Sequence, residues 1–144
     1  MKTLILVLLS LVAVSGGETL IPLKAGEMDG LSYGLAWISS DARHASNAPP
    51  GNSLVLTIRN HKAKWLNFDA VTVEDFSLQD AKGNEMKIYL RTPPKSIGYG
   101  DATISHITVE RAAEAPQPWT LHFTNKPAAF VPFALKVEGI ELRK

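Results

Sequence analysis

Histidine and methionine are the side chains best suited to copper or zinc, and metal chemistry in this chain would have to come from them. After the N-terminal apolar run they are His44, His61, His106 and His122, with Met28 and Met86. None forms an H-x-H or H-x-x-x-H spacing, and the methionines are isolated. One pair can still be assembled through strand pairing. If Thr103–Val109 and Trp119–Thr124 form a hairpin centred near Glu114, His106 stands opposite His122. Directly opposed residues point to one face about 5 Å apart. In that register Ile107 meets Leu121 and Val109 meets Trp119, so the apolar faces also agree; a shift of two residues agrees as well and would separate the pair diagonally. Two histidines make an incomplete metal site, and no third ligand is in view. The alternative is two solvated histidines on the open face of a sheet.

Other chemistries find less support. There is no cysteine and no G-x-S-x-G elbow for a nucleophile. Ser96 and Ser105 lie near Asp101 and His106 in sequence, but without a spacing that defines a triad. Asp69, Glu74 and Asp75 are the carboxylates from which a glycosidase pair could be drawn. Glu74-Asp75 reads more simply as a solvated strand break. Asp80-Ala-Lys-Gly-Asn-Glu85 has a trace of a calcium loop, but Lys82 stands where a ligand is needed, so a hairpin turn is expected.

Aromatic residues leave one more option, a surface for sugars or a protein partner. Trp37 and Trp119 lie in phase with apolar strand neighbours and belong to the core. Trp65 follows Asn-His-Lys-Ala-Lys at an irregular position, with Phe68 nearby, and Tyr99 sits between Gly98 and Gly100 in a long loop. Trp65, Phe68 and Tyr99 are therefore the candidate ligand- or partner-binding residues.

The elements that must position these residues are strands. The chain repeats a short alternating run followed by a turn signal, and no helical period appears. Leu31–Ile38, Ser53–Arg59, Phe76–Gln79, Met86–Leu90, Thr103–Val109, Trp119–Thr124 and Phe133–Val137 are the expected strands. Asp80–Asn84 is expected to join Phe76–Gln79 and Met86–Leu90 as a hairpin. Val71 and Val73 fall in one phase and Phe76 and Leu78 in the other, which demands a bulge or break near Glu74-Asp75. Gly139 is the expected bulge that re-phases Ile140 and Leu142. Pro- and Gly-containing loops are expected at 47–52, 92–101 and 125–131.

The N-terminus reads as a secretory signal peptide: Lys2, the apolar run Thr3–Val14, then Ser-Gly-Gly. Ala13 and Ser15 fit a cut after Ser15, with Gly17 as the alternative. The run is short for a membrane span, which needs about 20 apolar residues. The expected organisation is residues 1–15 as leader and 18–144 as one domain. No cysteine means no disulfide and no lipidation at a cysteine after the leader. Removing the leader takes away one lysine, leaving fourteen basic residues against fourteen acidic ones. That balance argues against nucleic acid or an anionic membrane as partner. A secreted or periplasmic location is expected.

Seven to eight short strands in this length fit an all-β, immunoglobulin-like antiparallel β-sandwich, with a small barrel as the alternative. The stretch Val71–Leu142 resembles the tail of certain secreted bacterial immunoglobulin-like domains, on Asp80, Gly83 and Asn84 of the turn and Phe133, Leu135 and Val137 of the late strand. Many such domains have no assigned activity. The expectation is a non-catalytic binding or accessory module, without cofactor, for a protein or carbohydrate partner. The alternative is a periplasmic copper- or zinc-handling protein using His106 and His122.

Overall fold

The computed structural model describes residues 18–28, 30–40, 52–61, 65–125 and 133–142. The expected leader, His44 and most of the loops 47–52 and 125–131 lie outside them. Eight strands follow in order: β1 (Glu18–Met28), β2 (Leu31–Ser40), β3 (Asn52–Asn60), β4 (Phe76–Gln79), β5 (Ile88–Thr92), β6 (Ala102–Val109), β7 (Trp119–Asn125) and β8 (Phe133–Ile140). They form two antiparallel sheets, β1-β2-β3-β6-β5 and β4-β7-β8. The fold is all-β and sandwich-like, with a core shared by both sheets.

Alternation explains each buried face. Leu54, Leu56 and Ile58 of β3 and Ile107 and Val109 of β6 point inward from the larger sheet. Trp119, Leu121 and Phe123 of β7 and Phe133, Leu135 and Val137 of β8 face them from the smaller one. The outward positions of the smaller sheet are mostly polar, including Ser77, Thr120, His122 and Lys136. Burying each large apolar side chain contributes about 1.5–3 kcal/mol. Trp37 of β2 meets Trp119 edge-on across the sheets, 5.8 Å between centroids. Phe76 stacks on its cross-strand neighbour Phe123 at 4.3 Å.

Two expected pairings are not formed. Thr103–Val109 and Trp119–Thr124 do not make a hairpin: β6 pairs with β3 and β5, whereas β7 pairs with β4 and β8. The connection 110–118, which includes a 3-10 turn at Ala112–Glu114, carries the chain from one sheet to the other. The two apolar faces then meet across the core instead of lying side by side. Similarly, Asp80–Asn84 reverses the chain, but the ladder beyond it is short. It consists of a Gln79–Glu85 bridge and a hydrogen bond from Met86 N to Leu78 O. The chain then crosses, and β5 joins β6.

Two smaller expectations are met. The phase change near Glu74-Asp75 is a break, a 3-10 turn at Val73–Asp75 closed by a capping box. Asp75 Oδ2 accepts from Thr72 N, and Thr72 Oγ1 accepts from Glu74 N. Gly139 adopts φ +70, and the β7–β8 register shifts between Trp119 and Leu121, so a bulge at Glu138-Gly139 turns Ile140 into the core. One strand was not anticipated: β1 lies on the edge of the larger sheet, paired to β2, with a bulge between Pro22 and Lys24.

Candidate functional site

The sequence candidates separate. His106 stands opposite Val55 of β3 and Thr92 of β5, on the outer face of the larger sheet. His122 stands opposite Ser77 and Lys136, on the outer face of the smaller sheet. The two histidines therefore face away from each other across the sandwich, and the cross-strand pair does not exist. Among the described residues, no group of three or more His, Asp or Glu side chains is arranged to hold a metal ion.

Ser105 and His106 are adjacent on one strand and point to opposite faces. Ser105 is sealed in the interior, its hydroxyl without a partner. Ser96 donates to Asp69 Oδ1 at 2.7 Å and accepts from Phe68 N at 2.8 Å. Asn67 Oδ1 is 3.2 Å from the same hydroxyl. These contacts fasten the loop 92–101 to the segment 65–72, and Asn125 Nδ2 adds a bond to Asn67 O at 2.7 Å. At the opposite end, Asp80 Oδ1 accepts from Lys82 N and Asn84 N, so this carboxylate closes its own turn. A shallow groove of about 440 Å³ lies beside it. There Glu85 accepts from Ser77 and Glu110 from Tyr89, so two of its acids already have partners.

The aromatic candidates divide two to one. Phe68 is not at the surface: it is 2% exposed and packs on Phe123 and Phe133, with centroids 5.6 and 5.3 Å away. Its phase in an irregular stretch gave no direction for the side chain. Trp65 and Tyr99 are 54% and 70% exposed. Both belong to the end of the sandwich where β3 finishes and β6 begins.

The backbone around them is fixed. Leu66 and Ile97 form an antiparallel bridge with N–H···O distances of 2.9 and 3.0 Å. This sets Trp65 beside Gly98, where a methyl group would lie 3.4 Å from Trp65 Cε3. One side of the indole thus rests on a residue with no side chain. Gly98-Tyr-Gly-Asp101 is a turn closed from Asp101 N to Gly98 O, with Gly100 at φ +83, as a type II turn requires at its third position. Gly98 N donates to Asp101 Oδ2. Gly100 N donates to Asn60 O at 2.7 Å, and Asn60 N donates to Asp101 O. Arg59 Nη1 donates to Gly100 O at 2.9 Å. Tyr99 therefore projects from a turn whose peptide groups are held on several sides.

Sequence reasoning identified Tyr99 and Trp65 but not Arg59, Asn60, Gly98 and Asp101, which hold them. The Gly-x-Gly-Asp spelling was the available signal. Beside this turn, Pro93, Lys95, Ile97, Asp101 and Ile104 line an open groove of about 510 Å³. Comparison of the chain with family models, curated proteins and solved structures finds no match. Among the described residues, no helix is long and apolar enough to cross a membrane.

Proposed function

We propose that the protein is an exported, non-catalytic binding module whose recognition surface is the loop end bearing Trp65 and Tyr99. The observation that carries this reading is the Tyr99 turn. A large aromatic side chain is held out to solvent by a backbone anchored to Arg59, Asn60 and Asp101. Rigid aromatic anchors bind with little loss of conformational freedom, because the ordering cost is met in folding. Loops at the end of a rigid sandwich are the usual place for such function.

Export rests on the leader-like pattern of Met1–Ser15. An immunoglobulin-like relationship is supported by strand order. Setting β1 aside, β2-β3-β6-β5 and β4-β7-β8 follow the four-plus-three order of constant-type immunoglobulin domains. This agrees with the resemblance to secreted bacterial domains of that kind.

The test is retention on envelope material from the native source. The protein should be retained, and a Trp65→Ala/Tyr99→Ala variant with unchanged circular dichroism should not be. Equal retention of both proteins would overturn the assignment of this surface.

A further inference from the structure

We infer that the Trp65–Tyr99 surface takes a carbohydrate chain, with pyranose rings laid on the two aromatic side chains. This rests on the binding reading above and names its ligand class. A pyranose presents C–H bonds on its face and hydroxyl groups around its rim. It therefore matches a flat aromatic ring bordered by fixed hydrogen-bonding groups. Trp65 is such a ring: one side lies on Gly98, and more than half of the residue remains open to solvent. Tyr99 is a second, presented from the adjacent turn.

The border is polar and already oriented. Asp101 uses one carboxylate oxygen on Gly98 N, and Arg59 uses one guanidinium nitrogen on Gly100 O. Each is a planar, bidentate group, of the kind that spans neighbouring hydroxyls. Asn67, Asp69 and Ser96 form a further hydrogen-bonded cluster in the segment joined to that loop by the Leu66–Ile97 bridge.

Shape narrows the choice further. Small free ligands are mostly buried in enclosed pockets, whereas the groove beside Tyr99 is open. An open surface lets a polymer pass. A protein partner would need about 800 Å² on each side around an apolar centre. Here the large apolar residues exposed at this end are Trp65, Tyr99 and Ile104, beside a groove that also carries Lys95, Ser96 and Asp101.

The experiment has two arms. In the first, the purified protein is titrated with hexasaccharides of β-1,4-linked glucose, mannose and N-acetylglucosamine, up to about 5 mM because single-site affinities in the millimolar range correspond to only about 4 kcal/mol. Trp37 and Trp119 are buried, so a ligand-induced change in emission reports on Trp65. One hexasaccharide should give a saturable change, with at least tenfold weaker binding, followed by calorimetry, in Trp65→Ala and in Tyr99→Ala. Tyr99→Phe should retain most of the affinity. No response to any of the three would overturn the inference.

In the second arm, the envelope material is oxidised with periodate, which cleaves the vicinal diols of 1,4-linked glucose and mannose, and separately digested with chitinase and lysozyme, because 1,4-linked N-acetylglucosamine has no such diol. Loss of retention supports the carbohydrate. Retention that survives both treatments yet still requires Trp65 and Tyr99 overturns the carbohydrate while leaving the binding reading intact. Retention that never depends on those residues overturns both.

Discussion

The indole of Trp65 rests on Gly98, with Cε3 and Cζ3 3.4 and 3.5 Å from where a β-carbon would stand. The close approach makes Gly98 a size-selective position. Gly98→Ala should be near neutral, because the residue does not occupy a left-handed conformation and a methyl fits at van der Waals distance. Gly98→Val should displace the indole. Its expected signature is altered Trp65 emission and lost retention, with stability changed by no more than about 1 kcal/mol. Fluorescence and urea titration check this.

Gly100 responds to a different property. Its φ of +83 is open to glycine and costs an L side chain about 1–2 kcal/mol. No atom lies within 4 Å of where its β-carbon would be, so the penalty for Gly100→Ala is conformational, not steric. The urea midpoint should fall with the slope unchanged.

Trp119 closes the core between the sheets, fully buried against the edge of Trp37. Trp119→Ala should cost about 3–5 kcal/mol. A double-mutant cycle with Trp37→Ala should show a coupling of about 0.5–1.5 kcal/mol, as expected for an aromatic pair. A coupling near zero would show that the sheets do not pack through these rings.

His106 and His122 give the opposite expectation. They face outward from different sheets, so His106→Ala and His122→Ala should be additive in stability within about 0.5 kcal/mol. Equimolar zinc should not change that additivity. Zinc-dependent coupling between the two would contradict the strand order.

Asn125 ties the end of β7 to the segment 65–72 through its bond to Asn67 O. Asn125→Ala leaves that carbonyl without its partner and should cost about 1–3 kcal/mol. Hydrogen exchange should then rise around Asn67 and Phe68 before it rises in β7.

The strands that alternate cleanly were legible in the sequence, and β3, β6, β7 and β8 lie where Leu54, Ile107, Leu121 and Leu135 require. Gly139 was legible because only a bulge reconciles Val137 with Ile140. Pairing was not. Alternation says which face of a strand is apolar but not which strand lies beside it. β6 and β7 have the same pattern whether they are neighbours in one sheet or opposed across the core. The histidine pair followed from the first arrangement, and the chain adopts the second. Phe68 shows the same limit outside regular structure, where no period gives a direction. Tyr99 was legible because two flanking glycines mark a turn that displays its central residue.

β1 went unread because Pro22 and Gly26 break the usual strand spelling, and its position explains why they are tolerated. Among the described residues it is an outermost strand, paired on one side. Proline there removes a donor from the other side or from the pairing beside it, the bulge at Leu23 bends the backbone, and the Lys24 ammonium reaches across to Gly139 of β8. These are the means by which natural sheets deter a second chain from adding on in register. In a protein without disulfides to reinforce its fold, three consecutive residues of an edge strand thus work against fibrillar self-association.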